Sequence, residues 1–156
     1  MNEREQRAWR AVQFMHTRLT ARLARELAAT SDLSYQDYAV LVALTDQPDG
    51  RVRMFQLAHD LGWERSRLSH QVTRMVQRGL VSKDKGCPDR RGAFVVLSEQ
   101  GQKAIETAAP GHVEAVRRLF IDVLTPRQLD AIGAAAQKVL DILDADPTDD
   151  EAAPAV

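Results

Sequence analysis

Between Glu64 and Arg78 the chain carries side chains suited to reading DNA: Arg65, Ser66, Arg67, Ser69, His70 and Arg74. On a helical wheel of about 100° per residue, Leu68, Val72, Met75 and Val76 gather on one face. Arg67, His70 and Arg74 then fall on the opposite side, with Ser66 and Gln77 nearby. An Arg guanidinium offers a bidentate fork to guanine O6 and N7, and His, Ser and Gln add single hydrogen bonds. Arg65 and Ser66 sit in the first turn, where free amides and short side chains meet phosphates. A solvated Arg-rich helix face would look the same in isolation. The segments on either side decide between the two readings.

Before this helix, Met54 to Leu61 reads as a short helix burying Phe55, Leu57, Ala58 and Leu61, closed by Gly62. After it, Gly79 ends the helix, and Leu80–Lys83 and Phe94–Leu97 read as two strands. Between the strands lies a basic loop, Lys83 to Gly92, containing Asp89, Arg90 and Arg91. A basic hairpin tip suits a DNA minor groove, where Arg meets enhanced negative potential. Asp89 would fix the Arg91 guanidinium in one pose; alternatively the two form an ordinary surface ion pair of small value.

The charge distribution agrees. The whole chain has a net charge of −1, but Arg51 to Gly92 holds ten Lys or Arg against four Asp or Glu, and the remainder balances at −7. That segregation describes a basic binding face on an acidic body. Other chemistries find no support. There is no Gly-rich phosphate loop, nucleophile elbow or paired-carboxylate constellation, so an enzyme is not expected. One cysteine and four histidines lacking metal-ligand spacing predict neither disulfide nor metal, and no cofactor is called for. No run of 18 or more apolar residues predicts a membrane span. The charged opening residues lack the apolar stretch of a secretory signal, which predicts a cytoplasmic protein.

The elements around this segment are helical. From about Glu3 to Ala29, Ala8, Val12, Met15, Leu19, Leu23 and Leu27 form one apolar stripe, with Trp9 and Phe14 adding surface beside it. So long a stripe needs cover, and a second chain would supply it. Ser34 to Asp37 is a capping signal for a helix burying Tyr38, Leu41, Val42 and Leu44. Asp46 to Gly50 is a turn. Ser98 begins a further helix that Pro110-Gly111 should kink or break, and Val113, Val116, Leu119, Phe120 and Val123 continue its stripe. Thr125-Pro-Arg-Gln128 is a strong helix start, followed by the stripe Leu129, Ile132, Ala136, Val139, Leu140 and Leu143. From Asp144 the chain is acidic and poor in large apolar groups, predicting a disordered tail over 145–156.

The stretch Asp89 to Gly101 resembles the wing signature of the MarR family of winged helix-turn-helix regulators: Asp89, Arg91, Val95, Leu97, Ser98 and Gly101 fit its pattern. Leu57 to Val81 resembles the family's helix-turn-helix, and the resemblance covers nearly the whole chain. It implies a mainly α protein with a small β-hairpin wing: one domain over 1–144, with a DNA-binding lobe at 34–97 and dimerisation helices at 3–29 and 98–143. It further implies a homodimer binding double-stranded DNA at a pseudo-palindromic operator, with half-sites about one helical turn apart. Repression relieved by a small molecule is the expected mode.

Members of this family often carry a pocket for phenolic or lipophilic anions between the dimerisation helices and the DNA-binding lobe. Trp9, His16, Tyr35, Tyr38 and His112 are the candidate lining here, two hydroxyls and a His orienting an anion against aromatic walls. Aromatic residues at helical spacing serve equally well as core. Cys87, beside Lys85, Arg90 and Arg91, suggests a thiol-responsive wing as an alternative. The N-terminal cysteine used by the family's hydroperoxide sensors is absent. A winged-helix module for protein–protein contact is the other alternative, although it would not need the Arg residues of the recognition helix.

Overall fold

The computed structural model describes residues 1–84 and 93–145. They form two compact units, Met1–Ala115 and Val116 onward.

The first unit opens with α1, Glu3–Thr30. Asn2 caps it: its side chain accepts from the Glu5 amide at 3.0 Å, and the Glu5 carboxylate accepts from the Asn2 amide at 2.7 Å. Ser34 and Asp37 form the same reciprocal box at the start of α2, Tyr35–Thr45, as its sequence predicts. Then follow β1 (Arg51–Arg53), α3 (Met54–Asp60), α4 (Arg65–Gln77), β2 (Val81–Asp84), β3 (Phe94–Leu97) and α5 (Glu99–Val116).

The strands form an antiparallel sheet in the order β1-β3-β2, with Val95 opposite both Val52 and Lys83. The sequence pattern predicts the β2–β3 hairpin and misses β1. Three residues are too few to show a period of two, and the arginines flanking Val52 disguise it. Gly62, at φ +61°, turns the chain between α3 and α4 as its position after the short helix predicts.

One core holds these pieces together. Leu41 and Leu44 from α2, Leu57 from α3, Leu68, Val72 and Met75 from α4 and Val95 from β3 are fully buried, with Ile105 and Ala108 from α5 beside them. The helix-turn-helix and the sheet therefore share a single apolar centre, which sets the orientation of α4.

Three expectations need correction. Phe55 is exposed: it lies about 200° around α3 from the buried Leu57, so this short helix cannot turn both inward. Val76 is also exposed, whereas Gln71 is buried. The inward arc of α4 is thus rotated toward Gln71. Pro110 neither ends nor divides α5, which is helical from Glu99 to Val116. Proline removes one backbone donor, and buried Ile105, Ala108 and Ala115 fix the helix on both sides of it.

The second unit begins with a π-helical turn, Arg117–Ile121, followed by α6, Pro126–Ala145. Thr125 caps α6 as predicted: its amide donates to Gln128 Oε1 at 2.9 Å, and the Gln128 amide donates back to Thr125 Oγ1 at 3.3 Å. No residue of α6 is buried, and Val139, Leu140, Ile142 and Leu143 are all exposed.

Candidate nucleic-acid interface

The face of α4 follows from its sequence. Leu68, Val72 and Met75 are fully buried, and Arg65, Ser66, Arg67, Ser69, His70 and Arg74 are exposed on the remaining surface. Six of the nine residues expected to meet DNA thus sit on one exposed helix surface. The other three, Asp89, Arg90 and Arg91, lie outside the described residues, as does Cys87.

Side chains next to this face hold it in shape. The Arg67 guanidinium lies over the Trp63 ring, 4.7 Å from its centroid. Trp63 itself packs partly buried against the core. Stacking restricts Arg67 while leaving its donor edge usable. Lys83 Nζ on β2 donates to Thr73 Oγ1 at 3.1 Å, and the Thr73 hydroxyl donates to the Ser69 carbonyl at 2.8 Å. The sheet is thereby tied to the exposed side of α4. On the sheet, Arg51 and Arg53 both stack on Phe94, at 4.0 and 4.5 Å from its centroid.

Behind the face lies a buried polar network. Asp37 is 2% exposed. Its carboxylate accepts from Gln71 Nε2 at 2.6 Å, from Arg78 Nη1 at 2.7 Å and from the Ser34 amide at 2.9 Å. Arg78 also donates to the Asp32 carbonyl at 2.5 Å, and Arg74 Nη2 donates to Gln71 Oε1. A buried carboxylate must be paired or hydrogen-bonded, and Asp37 draws Gln71 inward to satisfy it. That is why the α4 arc turns toward Gln71 and leaves Val76 at the margin. The sequence marks Asp37 only as a capping residue. The signal that would have found its second role is Gln71, a polar residue at an inward helical position that needs a partner.

The candidate ligand residues divide into two groups. Tyr38 and His112 are in contact, ring centroids 4.5 Å apart, and Tyr35 stands 6.2 Å from His112. His112 Nδ1 is buried without a hydrogen-bond partner among the described residues. Burial holds the His112 pKa below its ordinary value. Burial, then the neighbouring Tyr35, pushes the Tyr38 hydroxyl up. Trp9 and His16 do not join this cluster. Both are exposed on the early turns of α1. Burial on that helix begins with Leu23, about 21 Å along the axis from Trp9. Of the five candidate residues, the structure brings together Tyr35, Tyr38 and His112.

In sequence and fold the chain is similar to known proteins. Residues 22–108 match the family model described as transcriptional regulator SarA/Rot. The chain is 33% identical over 91 residues to the transcriptional regulator HosA of Escherichia coli, and the match spans 64% of that protein's length. The crystal structure of AbsC, a MarR family transcriptional regulator from Streptomyces coelicolor, superposes with a TM-score of 0.86 at 38% identity, covering 94% of this chain and 98% of that one. Sco3205, another MarR family regulator of that organism, solved in complex with DNA, gives 0.86 at 36% identity over 96% of both chains. These are families of regulators rather than enzymes. With a buried helix-turn-helix core, a three-stranded sheet and similarity along almost its full length, this chain belongs to the MarR family of transcriptional regulators.

Proposed function

We propose that the chain binds double-stranded DNA as a homodimer, sequence-specifically, and represses transcription until a small molecule releases it. The observation that carries this reading is the exposed row on α4, from Arg65 to Arg74, set over a buried apolar face. A helix so mounted presents Arg forks and short polar side chains to a major groove. The DNA complex of Sco3205 supports it. Asp89, Arg90 and Arg91 are assigned to the wing tip and to the minor groove on their sequence pattern.

The dimer is supported by apolar groups that the chain leaves uncovered. Trp9, Val12, Phe14 and Met15 on α1 and Val139, Leu140, Ile142 and Leu143 on α6 are exposed. A large uncovered apolar surface marks an interface. In domain terms, residues 34–97 are the DNA-binding lobe, flanked by dimerisation helices at 3–29 and 98–143. Among the described residues no helix is long and apolar enough to cross a membrane, which accords with work in the cytoplasm.

The effector is proposed to be a small phenolic or lipophilic anion beside Tyr35, Tyr38 and His112. His112 Nδ1, without a hydrogen-bond partner among the described residues, supplies a polar group among aromatic walls.

Selection from a randomised duplex pool tests the reading. The expected winner is pseudo-palindromic, bound by one dimer, with affinity falling steeply as salt rises. Failure to enrich any sequence would overturn it.

A further inference from the structure

We infer that Gln71 is a positioning residue that sets the aim of Arg74, with Asp37 as its fixed anchor. The inference rests on the reading of α4 as the DNA-contacting helix.

Gln71 lies almost wholly buried between a carboxylate and a guanidinium. Its orientation is dictated by chemistry. Asp37 can only accept, so the amide NH2 must face it; Arg74 can only donate, so the amide oxygen must face Arg74. A side chain that donates at one end and accepts at the other is needed here. Glu would bring a second carboxylate against Asp37. Lys or Arg would confront Arg74. Met fills a similar volume and satisfies neither.

The anchor is itself immobile. Asp37 is held by the Ser34 amide and by Arg78, whose other nitrogen grips the Asp32 carbonyl. Asp37 is also the third residue of α2 and the reciprocal cap of that helix. The pose of Arg74 is thereby referred to the α2 N-terminus across a chain of hydrogen bonds, 34 residues apart in sequence at the Gln71–Asp37 link. Arg74 is exposed nonetheless. Its bond to Gln71 occupies one of five N–H donors. A free Arg side chain loses considerable rotamer freedom on meeting a base, and one already held by Gln71 loses less. Gln71 thus contributes to operator affinity without touching DNA.

The test is a double-mutant cycle on the selected operator with Gln71→Met and Arg74→Ala, with far-ultraviolet circular dichroism confirming that each variant folds. Gln71→Met is expected to lower affinity about fivefold, the worth of roughly one hydrogen bond. In the Arg74→Ala background it should change affinity by less than about 1.5-fold, because there is no guanidinium left to aim. Side-chain 15N relaxation of Arg74 in the free protein reads the same claim without DNA: ordered in the wild type, mobile in Gln71→Met. Equal losses in both backgrounds, or an Arg74 equally ordered in the two proteins, would overturn the inference while leaving DNA binding intact. Failure of the wild type to bind any duplex selectively would instead overturn the reading of α4.

Discussion

Single residues in this protein act through what they are buried beside. Asp37 would be an ordinary helix cap on a surface; placed in the core it becomes the fixed point for Gln71 and Arg78. His112 stands against Tyr38, and its Nδ1 has no hydrogen-bond partner among the described residues. Burial lowers its pKa, so the folded state resists the proton that the unfolded chain accepts near pH 6.5. Above that value both states hold His112 neutral and nothing is lost. As pH falls through it, the unfolded state gains protons first and stability declines, until the folded-state pKa is passed. Thermal unfolding is therefore expected to shift downward as pH falls through about 6.5, with His112→Phe showing a shallower slope. An unchanged slope in that variant would show that His112 contributes nothing to the pH dependence.

At the scale of elements, close approach governs the seat of α5. Gly101 lies in its first turn, and a Cβ added there would overlap the Leu80 carbonyl oxygen and stand 3.0 Å from Leu97 Cδ1. The helix can rest on the β2–β3 end of the sheet only because this residue has no side chain. Gly101→Ala is expected to destabilise the protein by about 2 kcal/mol, measured by urea unfolding; a stability equal to that of the wild type would refute the close packing. The helices were largely legible in the sequence, because capping boxes at Ser34 and Thr125 and the 3.6-residue stripe of α4 are local signals. What was not legible depends on distant partners. Strand β1 is defined only by pairing with β3. The burial of Gln71 is defined by Asp37, and the continuity of α5 through Pro110 by packing on either side. The exposed face of α4 could be read from its wheel. The groups that support it, Trp63 under Arg67 and Lys83 on Thr73, could not, since each joins residues from separate elements or a turn. Which of the aromatic groups meet was equally illegible: residue type does not say that Tyr38 contacts His112 while Trp9 stands exposed on the early turns of α1.

For the whole molecule, the balance of −1 conceals a division of labour. Basic groups concentrate in the helix-turn-helix and wing segment, and exposed apolar groups on α1 and α6. The first is suited to DNA, the second to a second copy of the chain. If α6 forms part of the dimer interface, a charge placed among its exposed apolar residues should separate the subunits. Leu140→Glu is expected to convert a dimer to a monomer in analytical ultracentrifugation and to weaken operator binding, because one recognition helix then binds a half-site alone. A dimer of undiminished stability would exclude that face. In the first unit one continuous core orients α4, through the same residues that hold the fold.

The central claim is that the exposed face of α4 reads the operator. Its most direct test compares wild type, Arg67→Ala and Arg74→Ala on the selected operator and on a scrambled duplex, all at one salt concentration. Each substitution is expected to reduce operator affinity by roughly tenfold, equivalent to about 1.4 kcal/mol, and to reduce binding to the scrambled duplex much less. Wild-type affinity for the operator in both variants would contradict the account.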